Sequence, residues 1–282
     1  VNKTLPSRSN GAVFSREIMA PVVQIAELKH HDRQEVSLRG WIYGKRSGGK
    51  IVFLLVRDGT GIVQCVVEAR QQELFALAEA AGQESSLALA GTVRLDPRAP
   101  GGCEIAVTNL QVIQEVGDYP IARKAHGTDF LMEHRHLWLR SRRQSAILRI
   151  RHTVIRSARQ FFDENGFTLI DTPILQPGAA EGAATLFPVD YFGEKIYLAQ
   201  TGQLYLESAC MALGRVYCFG PTFRAEKSKT RRHLAEFWMI EPEIAFTELP
   251  DLLGWAERFV SRLVRDVLAG HREDLALLGR DP

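Results

Sequence analysis

The stretch FRAEKSKTRRHLAEFW, Phe223 to Trp238, gathers Arg224, Lys227, Lys229, Arg231, Arg232 and His233 between two apolar, strand-like runs. Side chains alternate along an extended strand, so Arg224 and Glu226 project from one face. On the returning strand Phe237, Met239, Glu241 and Glu243 share one as well. Guanidinium, aromatic ring and carboxylates together suit a nucleotide. An arginine fork takes two phosphate oxygens, a ring covers a purine, and a carboxylate orients an ammonium. The same residues also permit a salt-bridged sheet in which Arg224 pairs with Glu226 or Glu241 and KSKTRRH is a solvated hairpin tip. Chemistry alone leaves both open.

The chain that must position this hairpin has 282 residues, 45% of them hydrophobic and 24% charged, enough for a sizeable core divided between two domains. No apolar run approaches the roughly 20 residues of a membrane span, and the first twenty residues lack the apolar segment of a secretory signal, so a soluble protein of the cytoplasm is expected. The four cysteines, Cys65, Cys103, Cys210 and Cys218, form no CxxC pair and sit in apolar contexts, as buried free thiols would. Net charge is only +2, so affinity for nucleic acid must come from local basic faces. Two are present, 135–159 and 227–233. No phosphate loop, dinucleotide fingerprint, zinc-protease or serine-hydrolase motif occurs.

Residues 1–19 are polar and without period, as a disordered leader would be. A domain is expected over 20–116. Its strand-like runs are EVSLRGWIY, KIVFLLVRD, GIVQCVVEA, LALAGTVRL and CEIAVTNLQVI, with a helical QQELFALAEAAG between the third and fourth and turns at Asp58-Gly59 and PRAPGG. That is the strand order of an OB-fold β-barrel, a common scaffold for single-stranded nucleic acid. Residues 117–136 have neither period and are expected to be a hinge. From 137 to 282 an α+β domain is expected, an antiparallel sheet with flanking helices. Its parts are a helix with Ile147, Ile150, Val154, Ala158 and Phe161 on one side, a strand FTLIDTPIL, a strand KIYLAQ, a helix QLYLESACMAL and the two strands of the basic hairpin. A final helix carries Leu252, Ala256, Phe259, Leu263, Val264 and Val267 on one side.

GPTFRAEKSKTRRHLAEFWMIEPE resembles motif 2 of the class II aminoacyl-tRNA synthetases, in the form shared by the aspartate and asparagine enzymes. The likeness extends to RRQSAILRIRHTVIRSARQFFDENGFTLIDTPIL, similar to motif 1, to EGAATLF and LAQTGQLYLE, and to the barrel with RGWIY. It covers the chain from about 20 to 282. It implies ATP-dependent ligation of asparagine to tRNA(Asn) through an aminoacyl-adenylate. By the same likeness Arg224 is the catalytic residue on the α-phosphate, Glu226 and Leu234 read the adenine edge, Arg232 and His233 reach the β- and γ-phosphates, and Phe237 covers the ring. Glu181 and Gln203 would hold the substrate ammonium. Aspartate enzymes carry a lysine where this chain has Leu206, and a neutral carboxamide needs no such cation. Arg46, Phe53 and Gln64 would contact the anticodon, Phe53 by stacking and Gln64 through a base edge. Read without the likeness, Phe53 is a core residue of its strand and Gln64 a surface one. Pro173 and its surroundings resemble the family's dimer interface, so a homodimer is implied.

Nothing after Glu243 resembles motif 3 or the carboxylates that hold Mg2+ in the family, and no metal ligands are expected within this chain. The alternatives are therefore a ligase cut short before motif 3, an aspartate–tRNA ligase that does not discriminate, and a truncated, non-catalytic tRNA-binding relative.

Overall fold

The computed structural model describes residues 20–122, 124–178, 186–228, 230 and 232–281. The expected leader 1–19 and the expected ammonium-binding Glu181 lie outside them. The described chain forms two compact units that divide between Gly127 and Thr128.

In the first unit β1 (Glu35–Gly48), β2 (Ile51–Arg57), β3 (Ile62–Glu68), β4 (Ser86–Leu95) and β5 (Cys103–Gln114) close into a barrel in the order β1-β2-β3-β5-β4, with α1 (Gln72–Ala80) between β3 and β4. Strict alternation makes this possible. In β2 Val52, Leu54 and Val56 are buried while Ile51, Phe53, Leu55 and Arg57 are only partly covered, and β3 repeats the pattern with Val63, Cys65 and Val67. Each fully buried side chain of this size contributes about 1.5–3 kcal/mol relative to exposure. β1 serves two neighbours: Glu35 to Trp41 pair with β4 and Trp41 to Gly48 with β2, around an irregularity between Ile42 and Gly44. The side chain of Lys45 spans from the strand to α1, donating to the carbonyls of Glu79 and Ala81 that the helix end leaves unpaired.

The second unit opens inside the segment expected to be a hinge. α2 (Thr128–Glu133) and α3 (Arg135–Trp138) occupy its second half, too short for a sequence period to reveal them. α4 (Arg142–Glu164) follows, its first turn capped by the Ser141 hydroxyl, which accepts from the Gln144 N–H at 3.3 Å. The expected strand FTLIDTPIL is two fragments, β6 (Thr168–Leu169) and β7 (Leu175–Gln176), separated around Pro173, which has no N–H to give a ladder. β8 (Pro188–Tyr191) and β9 (Glu194–Leu198) join β7 in one small sheet in the order β7-β9-β8. α5 (Gln203–Leu213) leads into β10 (Arg215–Phe223), which pairs antiparallel with β11 (Glu236–Ile244) and parallel with β6. α6 (Leu249–Gly270) and α7 (Arg272–Leu277) complete the unit.

Phe161, Phe162, Phe167 and Tyr217 form a core between α4, α6 and one face of the β10–β11 sheet, with Trp255 and Phe259 packed on it. Both helices are turned slightly from the expected faces. α4 buries Ala146, Thr153, Ser157 and Phe161 and leaves Ile147 exposed, and α6 applies Trp255 and Phe259 while Leu252 and Val264 face solvent. Polar pairs set this rotation. The Ser157 hydroxyl donates to Asp266, itself bound by Arg262, and Thr153 meets the His271 ring at 2.7 Å.

Gly91, beside the register irregularity of β4 and β5, has no room for a side chain: a Cβ there would lie 2.4 Å from the Ala106 carbonyl oxygen and 2.6 Å from the Ile105 methyl. Gly91→Ala is expected to destabilise the barrel by about 1–3 kcal/mol. The measurement is the urea midpoint of the barrel transition, and an unchanged midpoint would contradict this packing.

Candidate functional site

β10 and β11 pair from Arg215 opposite Ile244 to Phe223 opposite Glu236. This register sorts the hairpin into two faces. Phe219 and Ile240 turn to the aromatic core beneath α4 and α6. Val216 and Cys218, with Glu243 and Glu241 opposite them, turn to the other side, followed by Gly220 with Met239 and Thr222 with Phe237. Arg224 continues that second face, its N–H donating to the Ala235 carbonyl at 2.9 Å in the next ladder position. Arg224 is half-buried, and no carboxylate lies within ion-pair distance of it among the described residues. The salt-bridged alternative is thereby excluded for the described carboxylates, Glu226 and Glu241 included. Glu226 has left the strand and is exposed, as are Arg232, His233 and Leu234, while Phe237 is half-buried. His233 is held through its Nδ1 by the Thr230 hydroxyl. Lys229 and Arg231 lie outside the described residues.

At the other end of the same face stands the first turn of α5. The Glu241 carboxylate accepts from the Thr201 hydroxyl and from the Gly202 N–H at 3.2 Å, and so ties β11 to the helix start. Gln203 is the first helical residue. Its side-chain amide donates to Glu207 at 2.9 Å, one turn on, which leaves its carbonyl oxygen to accept. Burial and then the neighbouring charges of Glu207 and Glu241 raise the Glu243 carboxyl above its ordinary value of 4.5. Burial, with the Glu241 charge beside it, pushes the Cys218 thiol up to about 12, so it stays protonated and inert. Leu206, expected beside the substrate, is fully buried against Val216 and Cys218. Gln200 is 2% exposed, and neither polar atom of its carboxamide has a partner among the described residues.

A cavity of about 230 Å³ opens beside this helix start, lined among others by Arg159, Thr172, Thr201, Cys218, Trp238 and Glu241. Arg224, Phe237 and Gln203 are not in its wall. No group of three or more His, Cys, Asp or Glu side chains could hold a metal ion among the described residues, so no step is assigned to Mg2+.

On the barrel, Arg46 and Phe53 are cross-strand partners, with the guanidinium 4.8 Å from the ring centroid. Phe53 alternates with the buried Val52 and Leu54 and so belongs to the outer face, not the core. Gln64 shares that face through its pairing with Leu55, two residues along β2, and donates to Glu104 at 3.1 Å. The structure therefore brings all three together on the outside of β1, β2 and β3.

The profile of the family described as tRNA synthetases class II (D, K and N) matches residues 127–279, more than half of the chain. The chain belongs to this family. A second profile, an OB-fold nucleic acid binding domain, matches residues 36–113. Among curated relatives, an asparagine–tRNA ligase of Koribacter versatilis is 56% identical over 93% of this chain and 60% of its own length. One of Pelotomaculum thermopropionicum is 58% identical over 92% and 61%. Among solved structures, the asparaginyl-tRNA synthetase of Pyrococcus horikoshii complexed with asparaginyl-adenylate superimposes with a TM-score of 0.84 at 42% identity, covering 88% of this chain and 58% of that one. The chain thus spans about 60% of the length of the curated relatives it matches.

For a class II synthetase fold, the first turn of α5 is the part that the sequence reading left incomplete. Thr201 and Glu207 sit at the start of α5, and Glu241, which latches onto Thr201 from 40 residues further along the chain, reaches them only through the register of β10 with β11. Glu241 and Glu243 carried a signal, since both fall on the Phe237 face by alternation. Glu207 carried a weaker one, one helical turn after Gln203.

Because the Glu243 carboxyl holds its proton more tightly in the folded state than in the unfolded one, its ionised form opposes folding at neutral pH. Glu243→Gln is expected to raise the melting temperature of the second unit at pH 7 by about 1–3 °C. The gain should vanish as pH falls below the ordinary carboxyl value of 4.5, where the native residue is protonated in both states. Calorimetry at the two pH values checks this, and an equal gain at both would refute it.

Proposed function

We propose that this chain is part of an asparagine–tRNA ligase, which joins asparagine to tRNA(Asn) at the expense of ATP during protein synthesis. The observation that carries the reading is Arg224: half-buried, without a carboxylate partner among the described residues, and on the sheet face that ends where Glu241 meets the start of α5. One end of that face offers a cation and an aromatic ring to a nucleotide. The other offers acceptors to an amino acid.

In the reaction an oxygen of the asparagine carboxylate attacks the α-phosphorus, the bond to the bridging oxygen breaks, and pyrophosphate leaves with that electron pair. The acyl group then passes to a ribose hydroxyl of the terminal adenosine of the tRNA, releasing AMP. Most of the work is positioning and charge stabilisation. Arg224 holds the α-phosphate and meets the charge that grows on it. Phe237 covers the adenine, Glu226 and the main chain at Leu234 read its edge, and Arg232 and His233, on the exposed tip, reach the outer phosphates. The free carbonyl of Gln203 accepts from the substrate ammonium, with Glu181 as a second acceptor. Side-chain choice follows from charge. Leu206 supplies no cation, and Glu207, Glu241 and Glu243 repel a second carboxylate but accept from a carboxamide.

The outer barrel face supplies the anticodon contact, with Phe53 stacking on a base, Gln64 reading its edge and Arg46 meeting phosphate or base. Exposed Ile147 and Leu148 on α4, with Ile174 and Leu175 near Pro173, support a homodimer with these surfaces at its interface. No described helix is long and apolar enough to cross a membrane. The cytoplasm, where tRNA is charged, is the proposed location.

Exchange of labelled pyrophosphate into ATP is expected to depend on asparagine, with aspartate at least tenfold poorer, in a protein extended to the length of the relatives. Arg224→Ala should lower that exchange by about 100-fold, the scale of losing one donor to a developing anion, while tRNA binding stays intact. Equal use of aspartate would refute the substrate. Retained exchange in the variant would refute the role of Arg224.

A further inference from the structure

The barrel carries a second aromatic with the features of Phe53, and no role has been given to it. Trp41 projects from β1 with 43% of its surface exposed. Its cross-strand partner is Arg57, whose guanidinium lies 5.6 Å from the indole centroid. Arg57 is itself fixed: its Nη2 meets the Glu84 carboxylate at 2.8 Å, and that carboxylate is almost wholly buried. Two residues before Trp41, on the same outward side of β1, Arg39 is exposed and has no carboxylate partner among the described residues. An indole thus lies between one immobilised guanidinium and one exposed one.

Arg57 and Phe53 are four residues apart on β2, hence on the same face and about 13 Å from one another along the strand. The Trp41 cluster therefore continues the surface formed by Arg46, Phe53 and Gln64. An OB fold engages about four or more nucleotides of single strand, so both aromatics fall within one footprint. Proteins that hold unpaired nucleic acid interleave flat rings with cations in this manner, since a ring accepts any base and the cations meet the backbone. The rigidity is notable. An indole pinned by a buried ion pair loses little further freedom when a base stacks on it.

We propose that Trp41, flanked by Arg39 and Arg57, is a second stacking platform for single-stranded RNA, taking a base of the loop beyond the one held at Phe53. The proposal rests on the reading of the barrel as the anticodon-binding unit. Glu84 is a positioning residue in it, acting through Arg57.

The test uses the 282-residue chain and a labelled RNA hairpin bearing the anticodon loop of an asparagine tRNA, at one fixed salt concentration. Trp41→Ala is expected to raise the dissociation constant about tenfold, and Trp41→Phe, which keeps a flat ring, to raise it less than threefold. The emission of Trp41, obtained as the difference between the native chain and Trp41→Phe, should be quenched at saturating RNA. This reading does not depend on whether Trp41→Ala folds. Phe53→Ala serves as the control on the underlying reading. If Phe53→Ala weakens binding while Trp41 emission and the affinity of the Trp41 variants do not change, the platform is refuted and the anticodon reading survives. If the hairpin does not bind the native chain, both fall. Quenching and loss confined to the Trp41 variants, with Phe53→Ala binding as the native chain does, would support the platform and remove Phe53 from the contact.

Discussion

The carboxylate of Glu241 at the start of α5 is the contact on which the geometry of the second unit depends. A helix start presents N–H groups without partners, and a carboxylate placed there satisfies them while meeting the positive end of the helix dipole. Here the carboxylate comes from the middle of β11, so the bond is also a tie between sheet and helix. Gly202 makes the approach possible: a Cβ at that position would lie 2.7 Å from the Cys218 sulfur and 2.8 Å from the Thr172 hydroxyl. Anything larger would lift α5 off the sheet. Gln203 and Glu207 would move with it, and the acceptors proposed for the amino acid would lose their register with the hairpin.

That register sets a length. Phe237 and Glu241 are four residues apart on one face of β11, about 13 Å. The proposed aminoacyl-adenylate would extend along this span, from the adenine covered by Phe237 to the acceptors for its ammonium. The acidic end is also costly in itself. Glu207, Glu241 and Glu243 lie close together at this end, and the raised proton affinity of Glu243 reflects first its burial and then the charges of the other two. A site designed only for stability would dilute that charge. A cation entering there would relieve this cost, which is what the ammonium of the proposed amino-acid substrate would do.

The barrel was legible in the sequence almost strand by strand, because each strand alternates and each turn has its own residues. Asp58-Gly59, for example, joins β2 to β3, and the Asp58 carboxylate accepts from the Thr60 N–H at 2.8 Å. Phe53 shows where a pattern is read too coarsely. IVFLLV looks uniformly apolar, yet only Val52, Leu54 and Val56 are core, and Phe53 keeps an open side. The hairpin from Phe223 to Trp238 was legible for the same reason of alternation. Failures fall where tertiary contacts override local period. Pro173 divides a strand that reads as continuous, short helices α2 and α3 fill an expected hinge, and Thr153 and Ser157, polar residues bonded across to His271 and Asp266, turn α4 so that Ile147 is left outside. Leu206 was singled out for what it is not, a lysine. In the fold it is a core residue behind the site, and the charge it withholds matters more than any contact it makes.

Two prolines within the larger sheet show how tightly its ladder is arranged around the site. The Arg224 N–H bonds across to Ala235, whereas the Phe223 N–H bonds the other way, to Ala199 at 2.8 Å. By alternation the missing N–H of Pro221 also faces away from β11, toward the cavity that Pro221 lines. The ladder to β11 loses nothing there. Pro242 stands opposite Tyr217, whose carbonyl is turned away from β11 to accept from Ile170. The position that would carry its N–H therefore points off the sheet, on the side of β11 away from β10. Proline is tolerated in a strand at such a place, and it leaves the outer edge of β11 with one donor fewer for any strand that approaches. The carboxylates of IEPEI point toward the site face, and the nitrogen of the proline toward the side of β11 away from β10.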